Sequence, residues 1–331
     1  MRPINNSIAK ASRVSFLLTA SLFFGICIYA IQGERQPGSN LETKVDIGKK
    51  LFFDPILSLD SSISCASCHN PKFAFADSAA LSRGVNDSLG TRNTPSVMNM
   101  AFRPYFFYDG RAATLEDQAM GPIENPVEMH LDYGVAVERV ANHPEYRQLF
   151  LQSYGSLPDS ALVIAALASF QRSLESTGNA PHDRWLNGED PNALSPSQLR
   201  GREIFLEKGK CFDCHFGPDF TGDEFRNIGL YDADERTDKG RFDVTEDSTD
   251  LGKFKVPGLR NIALTAPYMH DGSIATLEEV IDYYDNPYQF VDNPVNIDSL
   301  LRKPLGLSDQ EKADLVAFMH SLTDPIIPFR D

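Results

Sequence analysis

Cysteine is scarce in this sequence, and the few that occur are not placed at random. The 331 residues include only five cysteines, and Cys27 lies in an apolar run near the N-terminus. The other four belong to two Cys-x-x-Cys-His motifs, formed by Cys65, Cys68 and His69 and by Cys211, Cys214 and His215. No cysteine of the body remains for a structural disulfide outside the motifs, so the motifs themselves must explain the cysteines.

Positive charge is also under-represented. The chain has 31 lysines and arginines against 46 aspartates and glutamates, which gives a formal net charge of -15 and a sequence pI near 4.9. A nucleic-acid binder needs a cationic surface, so this balance argues against nucleic acid as a partner. A basic protein partner fits the charge better.

The only long charge-free apolar run lies near the N-terminus. Residues Val14 to Ile31 contain no charged side chain and follow Arg2, Lys10 and Arg13. This layout is typical of a Sec signal or an N-terminal anchor and indicates export. We therefore predict that residues 1–40 are a targeting segment and that the protein is periplasmic. No good cleavage site follows the run, so a cleaved signal and a retained membrane anchor both stay open.

The body of the chain contains an internal sequence repeat. "GKKLF" at Gly48 precedes the first motif and "GREIF" at Gly201 precedes the second, each as the end of an amphipathic helix. "DGRAATLE" at Asp109 is matched by "DGSIATLE" at Asp271. In both copies the threonine is placed to cap a helix that starts with Leu-Glu.

A linker separates the two copies. Residues Leu186 to Gln198 are rich in Gly, Pro, Asn and Ser and end in a predicted helix cap. This segment places the domain boundary near residue 190, between domains of residues 41–190 and 191–331. Strand-like alternation is nearly absent and the loops are long, so the predicted class is mainly α.

The Cys-x-x-Cys-His motif on an exported chain is typical of covalently bound haem. Each cysteine forms a thioether with a vinyl group, and the following histidine, His69 or His215, supplies an axial imidazole to the iron. A zinc site would need its cysteine pairs about 15–20 residues apart, and a thioredoxin-like pair needs no histidine. We therefore predict two c-type haems.

The sixth coordination position decides between an electron carrier and a catalyst. No histidine lies between Asn70 and Gly110, and we interpret Met98 and Met100 as core residues. The first haem is therefore predicted to be five-coordinate and open to hydrogen peroxide. Cleavage of the O-O bond then needs an acid-base group that moves a proton between the two oxygens.

Arg92 to His130, with the paired motifs, closely resembles the bacterial di-haem cytochrome c peroxidase and MauG superfamily. "FKVPGLRNIALTAPYMHDGS" at Phe254 is a second characteristic block, and the resemblance runs from about Leu41 to the end of the chain. It implies two tandem cytochrome c-like domains, the first peroxidatic and the second for electron transfer. It also implies that Glu128 is the distal acid-base catalyst and that Gln118 lines the same pocket.

The sequence departs from the classical family at two places near the first haem. Classical members have a histidine in the loop after the first motif, whereas Ala79 to Gly90 contain none, which argues against reductive activation. Tyr108 stands where the family usually has a tryptophan between the haems. Tyrosine is oxidisable, but an aromatic spacer would explain Tyr108 equally well.

The second haem has a candidate axial ligand in Tyr284. Classical members have methionine at this place, MauG-like members have tyrosine, and a phenolate ligand lowers the reduction potential relative to methionine. Tyr283 and Tyr284 could instead pack one helix face, and Met269 is a weaker rival for the iron. We place Met319 in the core, and His270 either hydrogen bonds near the haems or is an ordinary buried histidine.

The resemblance also implies calcium between the domains. The family uses an asparagine side chain and two backbone carbonyls, which correspond to Asn93, Thr265 and Pro267 in this sequence. Oxygen ligands of this kind suit a hard cation.

Taken together, these features predict a di-haem peroxidase that reduces hydrogen peroxide with electrons from a small soluble donor, a cytochrome c or a cupredoxin. A MauG-like enzyme that oxidises a protein substrate is the first alternative. A di-haem electron-transfer cytochrome is the second. The sequence leaves open whether the protein forms a homodimer.

Overall fold

The computed structural model describes residues 43–232 and 234–329, and the predicted N-terminal targeting segment lies outside these residues. Helices dominate, which confirms the predicted mainly α class. The helices of the N-terminal half are α1 (Lys44–Phe53), α2 (Cys65–Cys68), α3 (Leu115–Glu124), α4 (Tyr133–Asn142), α5 (Pro144–Tyr154), α6 (Ser160–Arg172) and α7 (Pro181–Leu186).

The C-terminal half repeats part of this arrangement with longer loops. Its helices are α8 (Pro196–Leu206), α9 (Phe242–Thr245), α10 (Leu277–Asp285) and α11 (Asp309–His320). Two short antiparallel strands, β1 (Phe225–Arg226) and β2 (Phe254–Lys255), pair Phe225 with Lys255. In the described part of the chain no helix is both long and apolar enough to cross a membrane.

The predicted helix caps are confirmed in both copies. Thr114 caps α3 by accepting a hydrogen bond from the Asp117 amide at 3.0 Å. Thr276 caps α10 in the same way through the Glu279 amide at 3.2 Å. A side-chain oxygen that accepts from the first-turn amides satisfies donors that the helix itself leaves unbonded, so the same short sequence starts a helix twice.

Each half has its own apolar core, and in each the helix before the haem motif packs on a later helix through a glycine. A Cβ atom on Gly48 of α1 would lie 1.9 Å from the Ala166 carbonyl oxygen of α6. A Cβ atom on Gly201 of α8 would lie 1.9 Å from the Asp314 carbonyl oxygen of α11. Only glycine permits these backbone contacts, which explains why both repeated pentapeptides begin with it.

We expect Gly201→Ala to destabilise the protein by about 3 kcal/mol, because the added methyl group forces α8 away from α11. Urea unfolding of the holoprotein measures this loss. Glu203→Ala, on the exposed side of the same helix, is the control and should change stability by less than about 0.5 kcal/mol. Equal stabilities of the two variants would contradict the close packing.

Ion pairs join the two halves. Arg92 bonds Asp109 at 2.6 Å and Asp238 at 2.7 Å, and so connects a loop of each half. Arg103 bonds Asp223 at 2.8 Å and also contacts Asp219. These ion pairs are mostly buried. Removal of one partner would leave an uncompensated buried charge, so the pairs favour this arrangement of the two halves.

Candidate active site

A continuous cavity of about 1030 Å³ is lined by both Cys-x-x-Cys-His motifs. The N-terminal half contributes Cys65, Cys68 and His69 to its wall, and the C-terminal half contributes Cys211, Cys214 and His215. The motifs are thus brought to one internal space, although well over a hundred residues separate them in the sequence.

Both motif histidines are oriented by a backbone carbonyl. His69 Nδ1 lies 3.1 Å from the Phe75 oxygen, and His215 Nδ1 lies 2.9 Å from the Phe220 oxygen. A carbonyl can only accept, so Nδ1 must donate and Nε2 is left without its proton. An imidazole with this tautomer and a fixed ring is suited to bind iron through Nε2.

The motif cysteines line the cavity, and burial disfavours the thiolate form of each unmodified side chain. Burial raises the pKa of the Cys65 and Cys211 thiols to about 12 and that of Cys68 to about 11. None of the four forms a disulfide. Free thiols on one helical turn, next to an oriented imidazole and facing a large cavity, fit the covalent attachment of one haem at each motif.

Glu128 lines the same cavity as the first motif. It follows the end of α3, where the side-chain Nδ2 of Asn125 donates to Glu128 Oε1 at 2.6 Å. The backbone is held by the Val85 amide, which donates to the Glu128 carbonyl at 2.8 Å. Burial raises the pKa of Glu128, while the Asn125 hydrogen bond and the Arg111 charge oppose the rise. Gln118, on α3, is also part of the wall.

We expect Asn125→Ser to move the acidic limb of the kcat/KM profile for peroxide upward by about 0.5–1 pH unit. The lost hydrogen bond stabilises the carboxylate by about 1 kcal/mol, so its loss raises the pKa of Glu128 and more acid remains protonated at a given pH. Asn179→Ser, at an exposed asparagine, should leave the profile in place. An unmoved limb in Asn125→Ser would contradict a positioning role for Asn125.

The loop after the first motif places a serine, not a histidine, at the cavity. Ser82 Oγ bonds Asp77 at 2.5 Å and Thr94 at 2.6 Å, and the Cys68 thiol interacts with it. Arg83, the next residue, forms an ion pair with Asp87 at 2.8 Å. The loop of residues 79–90 therefore lines the cavity through Ser82 and Arg83 and contains no histidine.

Tyr108 and His270 lie where the halves meet, and both line the cavity. The Tyr108 carbonyl accepts from the Lys255 amide at 2.7 Å, and burial raises the pKa of its phenol. The His270 ring stacks on Phe254 with 3.8 Å between centroids, and burial lowers its pKa. His270 is thus a neutral buried histidine that also faces the haem cavity.

The neighbouring tyrosines of α10 have different environments. Tyr283 is fully buried, and its hydroxyl donates to the Ile228 carbonyl at 2.7 Å. Tyr284 lines the cavity, and the Cys214 and Cys211 thiols are close enough to add to the burial that raises its pKa. Met269 and Met319 also line this part of the cavity. Tyr284 remains our predicted iron ligand, and Tyr283 is a core residue.

The three predicted calcium ligands all line the cavity. Asn93 is buried, and its amide nitrogen donates to the Ala79 and Ala80 carbonyls at 3.1 and 3.2 Å. Thr265 and Pro267 belong to the other half. Among residues 43–232 and 234–329, no cluster of three or more His, Cys, Asp or Glu side chains is suited to a metal ion, so a calcium site here would depend on carbonyl oxygens.

Several residues that line the cavity were not identified as site residues in the sequence analysis. Asn125, Arg103 and Lys255 line its wall, and Arg92 joins its two sides. Asn125 lies three residues before Glu128, so the pattern Asn-x-x-Glu could have suggested their hydrogen bond. The ion-pair partners lie far apart in the sequence and could not be matched from one chain.

The fold and cavity define a di-haem c-type cytochrome, and comparison with known proteins identifies its family. The sequence profile of the di-haem cytochrome c peroxidase family matches residues 42–191, and that of cytochrome c matches residues 198–323. The two cytochrome c-type domains and their two c-type haems are thereby confirmed.

Individual relatives agree with this assignment. The chain is 41% identical over 281 residues to the methylamine utilization protein MauG of Methylorubrum extorquens, covering 84% of this chain and 78% of the relative. It is 41% identical over 242 residues to cytochrome c551 peroxidase of Nitrosomonas europaea, covering 72% and 71%. The chain belongs to the di-haem cytochrome c peroxidase and MauG family of oxidoreductases.

A solved structure shows the same fold. A MauG-like protein associated with microbial copper homeostasis superposes with a TM-score of 0.78 at 33% identity, covering 87% of this chain and 91% of that one.

Proposed function

We propose that the protein is a periplasmic peroxidase that reduces hydrogen peroxide to water with electrons from a small c-type cytochrome or cupredoxin. The observation that carries the proposal is Glu128, a carboxyl group with a raised pKa in the cavity wall that also holds Cys65, Cys68 and His69. The overall reaction takes one peroxide, two electrons and two protons to two waters. Relatives named as cytochrome c peroxidases support it.

The residues of the two halves have separate roles in this proposal. Haem bound at each motif supplies the iron that accepts and delivers the electrons. Glu128 takes a proton from one peroxide oxygen and returns it to the other, and Gln118 orients the peroxide beside it. Residues 41–190 form the peroxidatic domain, and residues 191–331 receive electrons from the donor.

The donor, the cation and the targeting segment complete the proposal. A net charge of -15 favours transient docking of a basic donor, because opposite charge speeds the encounter. Asn93, Thr265 and Pro267 bind calcium through oxygen atoms. Residues 1–40 direct export, either as a cleaved signal or as a membrane anchor.

The first test is the optical and EPR spectrum of the fully oxidised holoprotein before and after one equivalent of hydrogen peroxide. We expect a high-spin ferric signal that peroxide removes, because no loop histidine closes the first site. Reduced donor should then be oxidised at two equivalents per peroxide. Two low-spin haems that do not react with hydrogen peroxide would overturn the proposal. The protein would then be an electron carrier, or its first haem would bind peroxide only after the second haem is reduced.

MauG-like oxidation of a protein substrate is the second candidate. Tyr284 favours it, because a phenol in the cavity beside Cys211 and Cys214 can give the second haem a low reduction potential. This candidate predicts a long-lived oxidised state of both haems after peroxide and slow turnover with a reduced cytochrome. Rapid turnover with the donor would favour the peroxidase.

A further inference from the structure

Lys255 lies on the cavity wall where the two halves meet. It ends β2, and its amide donates to the Tyr108 carbonyl of the other half at 2.7 Å. The Val256 amide, next along the chain, donates to the Glu224 carbonyl at 2.8 Å. The backbone therefore fixes the start of the Lys255 side chain, which is half-buried and lines the cavity.

Lys255 differs from the arginines of this wall in its lack of a carboxylate partner, and from Lys210, the other lysine of the wall, in that Lys210 is exposed to solvent. Each arginine of the wall forms an ion pair with a carboxylate of the protein within 4.0 Å, namely Arg83, Arg92, Arg103, Arg111, Arg226 and Arg260. Within the described residues, Lys255 has no such pair at that distance. Asp223 attracts it, and Asp223 Oδ2 is bonded to Arg103 at 2.8 Å, whereas Asp223 Oδ1 is buried without a hydrogen-bond partner and forms no ion pair with Lys255 within 4.0 Å.

An enclosed ammonium group without a carboxylate is costly, because burial removes its hydration. This burial lowers the pKa of Lys255 to about 8, so most of the group is still charged at neutral pH. The cavity that it faces takes two haems, and each haem carries two propionate carboxylates. A propionate would supply the ion-pair partner that the described residues do not place within 4.0 Å of Lys255.

We propose that Lys255 binds a propionate of the haem attached at Cys211 and Cys214. The choice of this haem follows from the strand: the carbonyl of Val256, the residue after Lys255, accepts from Thr221 Oγ1 at 2.7 Å, and the neighbouring Phe220 carbonyl orients the His215 ring. The segment that carries Lys255 is thus bonded to the loop that orients the axial histidine, and Lys255 and His215 line the same cavity. The inference depends on the two c-type haems of the family and not on the proposed reaction.

The test compares Lys255→Met and Lys255→Arg with Lys253→Met in holoprotein whose content of both haems has been verified. Lys253 is a matched control, because it is paired with Asp250 at 3.1 Å and lies outside the cavity wall. Resonance Raman spectra report the propionate bending modes, and spectroelectrochemistry reports each haem separately. Neither measurement requires turnover, so a failed peroxidase assay would not affect the result.

We expect Lys255→Met to shift a propionate band and to lower the midpoint potential of the second haem, because a nearby cation favours the ferrous state. At the wild-type midpoint, the reduced-to-oxidised ratio should fall several-fold. Lys255→Arg should restore most of it, and Lys253→Met should change neither signal. Unchanged bands and potentials in Lys255→Met would overturn the proposal.

Two further results would also overturn it. A shift confined to the haem at His69 would mean that Lys255 serves the other cofactor. If Lys255→Met and Asp223→Asn lower thermal stability alike while the haem signals stay unchanged, the partner of Lys255 is Asp223 rather than a propionate.

Discussion

Glu128→Gln is expected to lower kcat/KM for hydrogen peroxide by about 10²–10⁴-fold, the range that a positioned acid-base group contributes. Glutamine has nearly the shape of glutamate and can still meet Asn125, but it neither accepts nor returns a proton. The defect should therefore appear in the rate with peroxide and not in haem content. Stopped-flow mixing of oxidised protein with peroxide measures the step before any donor is involved.

Glu124→Gln is the matched control for this variant. Glu124 is exposed at the last residue of α3, four residues before Glu128, so the same chemical change is made outside the cavity wall. It should react with peroxide at the wild-type rate. Equal rates for Glu128→Gln and wild type would show that Glu128 is a structural carboxylate and that another group moves the proton.

The pH dependence of the wild-type rate tests the same assignment independently. Burial holds the pKa of Glu128 above the ordinary value of a glutamate, and a base in its carboxylate form is needed to take the first proton. Peroxide reactivity should therefore be lost as the pH falls through this raised pKa, at a higher pH than an exposed glutamate would titrate. Glu128→Gln should lack that limb.

The features that could be predicted from the sequence are formed by residues close together in the chain. The Cys-x-x-Cys-His motifs hold their ligands on one turn, and Thr114 and Thr276 cap helices within three residues of themselves, so each feature could be recognised from a few adjacent letters. Glu128 was different, because nothing in its neighbourhood marks it as catalytic. Its predicted role came from the family resemblance, and the cavity adds a raised pKa and a hydrogen-bond partner.

What could not be predicted depends on contacts between distant segments. Arg92 and Asp238 are 146 residues apart, and Arg103 and Asp219 are 116 residues apart. From the sequence alone, a charged residue in a loop is predicted to be exposed to solvent, because its ion-pair partner is not known. The charge of Lys255 could not be judged for the same reason, since it differs from the arginines of the cavity wall in having no carboxylate of the described residues within ion-pair distance.

For the two adjacent tyrosines of α10, the helical pattern of the sequence does not predict which one faces the core. Adjacent residues on a helix point about 100° apart, so Tyr283 and Tyr284 cannot both face the core, but the pattern alone did not say which one does. Tyr283 takes the core position with its hydroxyl bonded to Ile228. The cavity position is thereby left to Tyr284, and the second large prediction concerns this residue.

Tyr284→Met should raise the midpoint potential of the second haem by an amount on the order of 0.1 V or more, within the ~0.8 V that axial ligands span. A phenolate stabilises ferric iron, whereas methionine stabilises the ferrous state. Tyr284→Phe should instead remove the ligand and convert that haem from low-spin to high-spin in EPR. Both variants are measured as oxidised and reduced holoprotein.

Tyr283→Phe separates ligation from packing. It deletes one hydroxyl and one hydrogen bond from the same helix, so it should lower stability by about 1 kcal/mol and leave both potentials in place. If Tyr284→Met and Tyr283→Phe change the potentials equally little, Tyr284 is not an iron ligand. The argument from Tyr284 for a MauG-like reaction would then be lost, whereas the peroxidase proposal, which depends on Glu128 in the other half, would stand.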